Sequence, residues 1–554
     1  MKKAISSTSL VLLHSILLIS QSFAQNNGLS QIDKTDLETH MTFLASDEME
    51  GRKTGEPGLD KAAEYLAAQA REIGLKPVDE NGDFYQNYTL VTKKMDTESS
   101  SITISEGTQA GTKFTAPFYV VNPDSDRMEI NGEAVFAGYG IHSEQDGYND
   151  FEGLDLEGKI VLIIDRGPMD ESGEINLLSN RDWSTRFTIP QKIPALMRRG
   201  PKAILIVMDP RTGARSFTNY QPRMARAYSN SSYAKVFGER NKSRWPETAP
   251  KIIFIDREVA DQMLETSGKS LQKLQNSIDK KLKPKSFELK NLKVNISAGY
   301  RWEEKPVPNV VGMIEGNDPQ LKDEVIVYTA HFDHLGKSAD GNVYNGADDN
   351  ASGTVALIEL GQAFMAEREK LKRSVMMLWV SGEEIGLYGS KYYTRYPIIP
   401  LENTVACINL DMIAAVRSER DTGYIHGERM SVQGMDSISL IGGHQSSELM
   451  EIHNTVSGNL GISTDLSLND PYHPYRYYFR SDHINFARNN IPILFYSTGI
   501  HVDYHKVSDN YERINYTKLK KVSELSFLVG FELATMPERI KVDNPFSEWE
   551  RTWR

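Results

Sequence analysis

Four short stretches in the second half of this chain are apolar almost without interruption: Glu324 to Ala330, Val375 to Val380, Thr404 to Leu410 and Ile491 to Tyr496. A strand on a one-sided sheet alternates apolar and polar residues. Strands apolar on both faces belong in a sheet covered by helices on both sides. Helical patterning lies between these runs. Ala351 to Glu367 places Leu357, Leu360, Ala363 and Phe364 on one stripe, and Ser446 to Leu460 reads as a second helix. The expected fold is therefore α/β, with a mixed, largely parallel sheet sandwiched by helices.

The chain is 554 residues long, more than one ordinary core accommodates. Residues 32 to 76 read as largely helical, most clearly over Leu59 to Ile73, with Gly74 as a stop signal and the polar loop 46–52 before it. From about 127 the texture changes. Short apolar runs (134–139, 159–164, 203–207, 251–255) are separated by long polar loops between 165 and 250, and helical patterning resumes at Val259 to Ile278. We read a β-rich insert over 127–287. It separates an N-terminal part (25–126) from the main part (288–540) of one domain, and a tail follows at 541–554.

Lys2 and Lys3, the apolar run from Leu10 to Ile19, and Ala24 before Gln25 form the pattern of an export signal over residues 1–24. That run is about half the length that spans a bilayer, and no other apolar stretch is long enough, so no stable membrane span is expected. The expected location is the periplasm or the external medium. The lone cysteine, Cys407, sits in an apolar, β-prone run and reads as a buried, inert thiol. A formal net charge of -12 argues against nucleic acid as a partner.

The polar residues at the strand ends carry the chemistry. The first run leads into His331-Phe332-Asp333, the second into Ser381-Gly382-Glu383-Glu384, and the third into Asn409-Leu410-Asp411. Gly346-Ala347-Asp348-Asp349-Asn350-Ala351-Ser352-Gly353 precedes the helix between the first two. In doubly wound sheets the carboxyl ends of the strands form the ligand crevice. Carboxylates gathered there repel one another and take up protons unless a cation neutralises them. Mixed histidine and carboxylate donors suit zinc. Each fragment alone has a plainer reading: adjacent glutamates are usually a solvated turn, and adjacent aspartates usually cap a helix. The ordered set is what points to a metal.

These signatures, together with Tyr504-His505-Lys506-Val507, resemble the co-catalytic zinc peptidases that include bacterial leucyl aminopeptidases and glutamate carboxypeptidase II. The resemblance covers about 288–535 and also 32–118, where Leu44-Ala45-Ser46-Asp47 and Gly51-Arg52 recur. The middle module resembles the protease-associated domain often inserted in such enzymes. The resemblance implies two Zn2+ per chain. Asp349 would bridge them, His331 and Asp411 would complete one site, and Glu384 and His505 the other. It assigns Glu383 as general base, Asp333 as the carboxylate that orients a ligand histidine, and a cis bond at Asp349–Asn350. His483 and His501 compete with His505, and Tyr478 competes with Tyr504 for the oxyanion. His505 and Tyr504 fit the family pattern better. His334, His426, His444, His453 and His473 carry no signature and read as surface or packing residues.

The implied activity is hydrolysis of peptide substrates by water activated between two metals, as an exopeptidase and most simply an aminopeptidase. The alternatives are a glutaminyl cyclase of the same fold, a carboxypeptidase or dipeptidase using Arg480 or Lys506 for the substrate carboxylate, and a non-catalytic binding protein on the same scaffold. The sequence leaves the oligomeric state open.

Overall fold

The computed structural model describes residues 27–549, apart from 79–81, 116–117, 122–125, 171–176, 180–188, 222–223, 226–229, 236–248, 266, 339–340 and 426–427. The expected export signal, the end of the tail and His426 lie outside the described residues. No described helix is long and apolar enough to cross a membrane.

The chain divides into two compact units, Met1–Leu90 with Lys305–Arg554, and Val91–Glu304. The second unit reaches further at both ends than the insert read from the sequence. The reason is local: the strand Thr112–Thr115 pairs with Ser101 to Ile104, and this polar, alternating stretch shows no change of texture in the sequence.

In the first unit the four apolar runs are strands: Val325–His331, Ser374–Val380, Thr404–Leu410 and Ile493–Ser497, every residue of the first three buried. Val325–His331 is central, parallel to Ser374–Val380 on one side and to Thr404–Leu410 on the other. Ile493–Ser497 extends the parallel set. Antiparallel neighbours flank it, Ser437–Gly442 on one side and Val310 to Ile314 on the other.

Successive side chains of a strand point to opposite faces, and both faces here are covered. On one face Val325 and Val327 join Tyr393 and Phe486. On the other, Tyr328 packs on Phe364 of the helix Gly353–Ala366 and donates to the Ser526 carbonyl of the helix Tyr516–Thr535 (2.7 Å). Gly353–Ala366 also packs against the helices Lys34–Leu44 and Pro57–Ile73. The last of these ends at Gly74, in the left-handed region at φ 85°, as the stop signal predicts. The stretch between these two helices is a loop with a short 3-10 turn, Asp47–Arg52, not a continuous helix. Ser446 caps Ser447–Asn459 by accepting from Leu449 N (3.2 Å). Cys407 is buried, and burial pushes its thiol well above the ordinary range.

The second unit is less purely β than expected. Its parallel strands Ile160–Ile164, Ala203–Val207 and Lys251–Ile255 are joined by helices that include Ile189–Met197. The predicted helix 259–278 is two helices, Arg257–Glu265 and Leu271–Lys281, interrupted where Gly268 adopts φ 67°. The core holds a buried carboxylate. Asp150 accepts from Tyr139 N (3.0 Å), Ile141 N (3.1 Å) and the Tyr148 hydroxyl (2.8 Å). Burial raises its pKa to about 7 against these bonds and the nearby buried Lys192.

Candidate metal centre

Three parallel strands and two loops deliver the site. His331 is the last residue of its strand, and Glu383, Glu384 and Asp411 follow the ends of the next two. Asp349 lies in the turn leading into Gly353–Ala366, and its bond to Asn350 is cis. His505, in the left-handed region at φ 56°, comes from the loop after Ile493–Ser497.

The side chains converge around Asp349. Its Oδ1 lies 3.4 Å from His331 Nε2, which lies 3.4 Å from Asp411 Oδ1. Its Oδ2 lies 2.9 Å from His505 Nε2, which lies 3.2 Å from Glu384 Oε1. Zinc bonds of 2.0–2.1 Å in a tetrahedral site put donor atoms about 3.4 Å apart. The His331 side of Asp349 meets that spacing, and the His505 side, at 2.9 and 3.2 Å, is tighter.

Buried supports fix the loops. The guanidinium of Arg52, fully buried, donates to the carbonyls of Phe332 (2.8 Å), Leu44 (2.5 Å), Asn345 (2.7 Å) and Gly346 (2.8 Å). It thereby ties the loop after His331 to the loop before Asp349. Asn350 Nδ2 donates to the Leu410 carbonyl (2.9 Å), and its Oδ1 accepts from Met412 N (3.2 Å), joining Asp349 to the Asp411 strand end. Asp509 accepts from Asp348 N (2.9 Å) and Asp349 N (3.1 Å). Ser481 donates to Asp411 Oδ2 (2.7 Å). Such outer contacts set the orientation of metal ligands.

The side chains of the cluster shift one another's ionisation. Burial acts to raise Asp349 and Glu384, yet the facing imidazoles hold both below the usual carboxylate range, Glu384 at about 2. Correspondingly, burial disfavours the charged form of His505, while Glu384 and Asp349 raise its pKa to about 9. The carboxylates thus retain protons on the histidines in the place where a cation would supply the positive charge. Glu383 is shifted the other way. Burial pushes it well above the usual range, His331 opposes the shift, and Glu384 and Asp411 add to it.

All five proposed ligands are therefore gathered, with Glu383 beside them. Asp333 acts differently from the simple expectation. His331 Nδ1 lies 3.1 Å from the Asp333 backbone carbonyl and 3.7 Å from its carboxylate. The carboxylate instead accepts from Glu383 N (3.1 Å) and the Thr54 hydroxyl (2.6 Å). Tyr504 is partly buried with its ring stacked on His505, whereas Tyr478 is fully buried among Phe546, His444 and His483. His483 sits apart, 2.9 Å from the Tyr478 carbonyl, and His501 lies behind the site, 3.2 Å from Asp348 Oδ2.

His334, read from the sequence as a surface or packing residue, is buried beside the cluster. It is no surface residue: its Nδ1 lies 2.9 Å from Glu384 Oε1 and 3.7 Å from Asp349 Oδ2. Its position three residues after His331 was the available signal. Of the two residues offered for a substrate carboxylate, Arg480 is engaged by Glu428 (2.5 Å) and Lys506 by the Val502 carbonyl (2.8 Å).

The first unit is thus a helix-covered, mixed α/β sheet with histidines and carboxylates gathered at the carboxyl ends of its strands. Residues 309–529, a stretch that holds every candidate ligand named above, match the profile of peptidase family M28. A protein of Pyricularia oryzae named "Probable zinc metalloprotease" is 24% identical over 265 residues, 42% of this chain and 51% of that protein. A protein of Arthroderma benhamiae named "Probable glutamate carboxypeptidase" is 27% identical over 184 residues, 31% of this chain and 24% of that protein. The chain thus spans about half or less of these curated relatives. The solved aminopeptidase of Aneurinibacillus sp. strain AM-1 shares the fold at 17% identity and a TM-score of 0.50, over 93% of this chain and 97% of that one.

Proposed function

We propose that this chain is an exported, zinc-dependent exopeptidase, an aminopeptidase that binds two Zn2+ per chain. The observation that carries the reading is the double engagement of Asp349, whose two oxygens face His331 and His505 respectively. His331, Asp349 and Asp411 would hold one cation, and Asp349, Glu384 and His505 the other. When bound, such a pair supplies Lewis acidity to a peptide carbonyl and to water.

The chain's own groups do the rest. Glu383, its backbone N–H anchored on Asp333, accepts a proton from the attacking water and returns it to the leaving amine. Tyr504, next to His505 and partly exposed, donates to the oxyanion, while Tyr478 is sealed in its aromatic cluster. The engagement of Arg480 and Lys506 speaks against a pocket for a substrate carboxylate, and the gathered carboxylates favour a free α-amino group. Export rests on the basic start, apolar run and Ala24 of residues 1–24.

The test pairs Glu383→Gln with a substrate panel. The variant should lose about 10²–10⁴-fold in kcat on aminoacyl anilides while keeping its zinc. N-acetylated analogues should be inert with the parent enzyme. Full activity of the zinc-loaded variant, or equal cleavage of the N-blocked substrates, refutes the assignment.

A further inference from the structure

His334 belongs to none of the ligand sets above, yet the structure fixes it at the centre. The residue is 1% exposed. Neither ring nitrogen has a hydrogen-bond partner among the described residues. Its approach to Glu384, though 2.9 Å, is too misaligned to count as one. An imidazole buried in that state is unfavourable unless something else takes its lone pair.

The ring is also held there deliberately. Gly346 is left-handed at φ 56°, and a Cβ at that position would fall 2.4 Å from His334 Cγ and 2.5 Å from Cδ2, so residue 346 must be glycine for the ring to occupy its place. The backbone N–H of His334 donates to the Arg52 carbonyl (3.2 Å). These constraints aim Nδ1 at Glu384 Oε1 and Asp349 Oδ2, the two oxygens that also face His505 Nε2.

We infer that His334 is itself a cation ligand through Nδ1, so that Asp349, Glu384, His505 and His334 form a four-donor protein site beside the three-donor site of His331, Asp349 and Asp411. The inference rests on the two-metal reading above and deepens it. Four protein donors close a zinc site, whereas three leave a position open for water or substrate. The two cations are therefore unequal: the one near His334 is retained and orienting, the one near His331 exchangeable and open.

The test uses the full-length protein loaded with zinc and titrated with a graded chelator, zinc being counted per chain at each step. The parent protein should release one equivalent well before the other. His334→Leu should weaken the retained equivalent at least 10-fold and leave the other unchanged. His334→Asn, which keeps a polar atom near the place of Nδ1, should recover part of the loss, and it decides the matter if the leucine variant fails to fold. A crystal structure of the zinc-loaded parent should show His334 Nδ1 at about 2.0–2.1 Å from the metal. Two equivalents with unchanged affinities in both variants, or a zinc-loaded structure with Nδ1 beyond bonding distance, overturns the role of His334 and leaves the two-metal reading standing. A parent protein that binds fewer than two equivalents overturns that reading and the inference together.

Discussion

Replacing Arg52 by methionine removes a guanidinium that is fully buried and donates to four backbone carbonyls from three segments. Burial lowers its pKa only to about 10, with Asp509 and Asp333 opposing the shift, so it is charged at neutral pH. Hydrogen bonds from a charged donor contribute about 1.5–3 kcal/mol each, but four sharing one group do not add, and methionine escapes the desolvation of the charge. Removing one side of a buried charged network costs about 3–5 kcal/mol, and we take that range. At about 2 °C per kcal/mol for a large unit, the melting temperature should fall by roughly 6–10 °C. Arg52→Lys keeps the charge but offers three donors on a point-like head, too few for four carbonyls, and should fall in between. The two clamped loops carry His331 and Asp349, so the variants should also bind zinc more weakly. Thermal unfolding followed by circular dichroism, beside zinc analysis, reads both effects. A fall below about 2 °C with zinc affinity intact would refute the clamp.

Three other outcomes follow from the same contacts. Ser481→Ala deletes the hydroxyl that holds Asp411 Oδ2 (2.7 Å) and should lower the affinity for one zinc about 10–100-fold, read by chelator competition. Asp150→Asn tests the buried carboxylate of the second unit. With its folded pKa raised to about 7 by burial, the native state keeps a proton that the unfolded chain gives up near pH 4, so stability falls as pH rises through that window. The variant should flatten that fall by at most about 1.4 kcal/mol per pH unit, and melting curves of equal slope would count against it. Tyr328→Phe loses the bond to the Ser526 carbonyl (2.7 Å) and should destabilise by about 1 kcal/mol in urea unfolding at unchanged m.

The strands of the first unit were legible because residues buried on both faces are mostly apolar, and 325–331, 374–380 and 404–410 are nearly so, with a few polar residues such as Thr329 and Asn409 between. The candidate cluster was legible because its histidines and carboxylates sit at the ends of those same strands. What escaped notice depends on partners distant in sequence. His334 has no local pattern, and its role emerges only from Glu384 and the space left by Gly346. Arg52 appeared as part of a recurring Gly-Arg pair, but its carbonyl partners Phe332 and Gly346 lie about 280 and 294 residues away. The loop at 46–52 was legible from its polar, glycine-bearing sequence, but its left-handed turn at Glu50, Gly51 and Arg52 goes with the docking of Arg52 on distant carbonyls and was not. The bounds of the second unit were missed at 91–126 because a half-exposed strand such as Tyr85–Glu106 reads as polar chain.

The division of the first unit into Met1–Leu90 and Lys305–Arg554 imposes an order on biosynthesis. A nascent chain emerges amino end first, at about 5–20 residues per second, and domains fold as units. Val91–Glu304 is continuous and can complete its core while the ribosome is still translating. Arg52 leaves the tunnel long before three of the four carbonyls it serves, and its positive charge must stay hydrated until Phe332, Asn345 and Gly346 arrive. His505, which faces Asp349 Oδ2 (2.9 Å), is added only after every other residue of the cluster has been made.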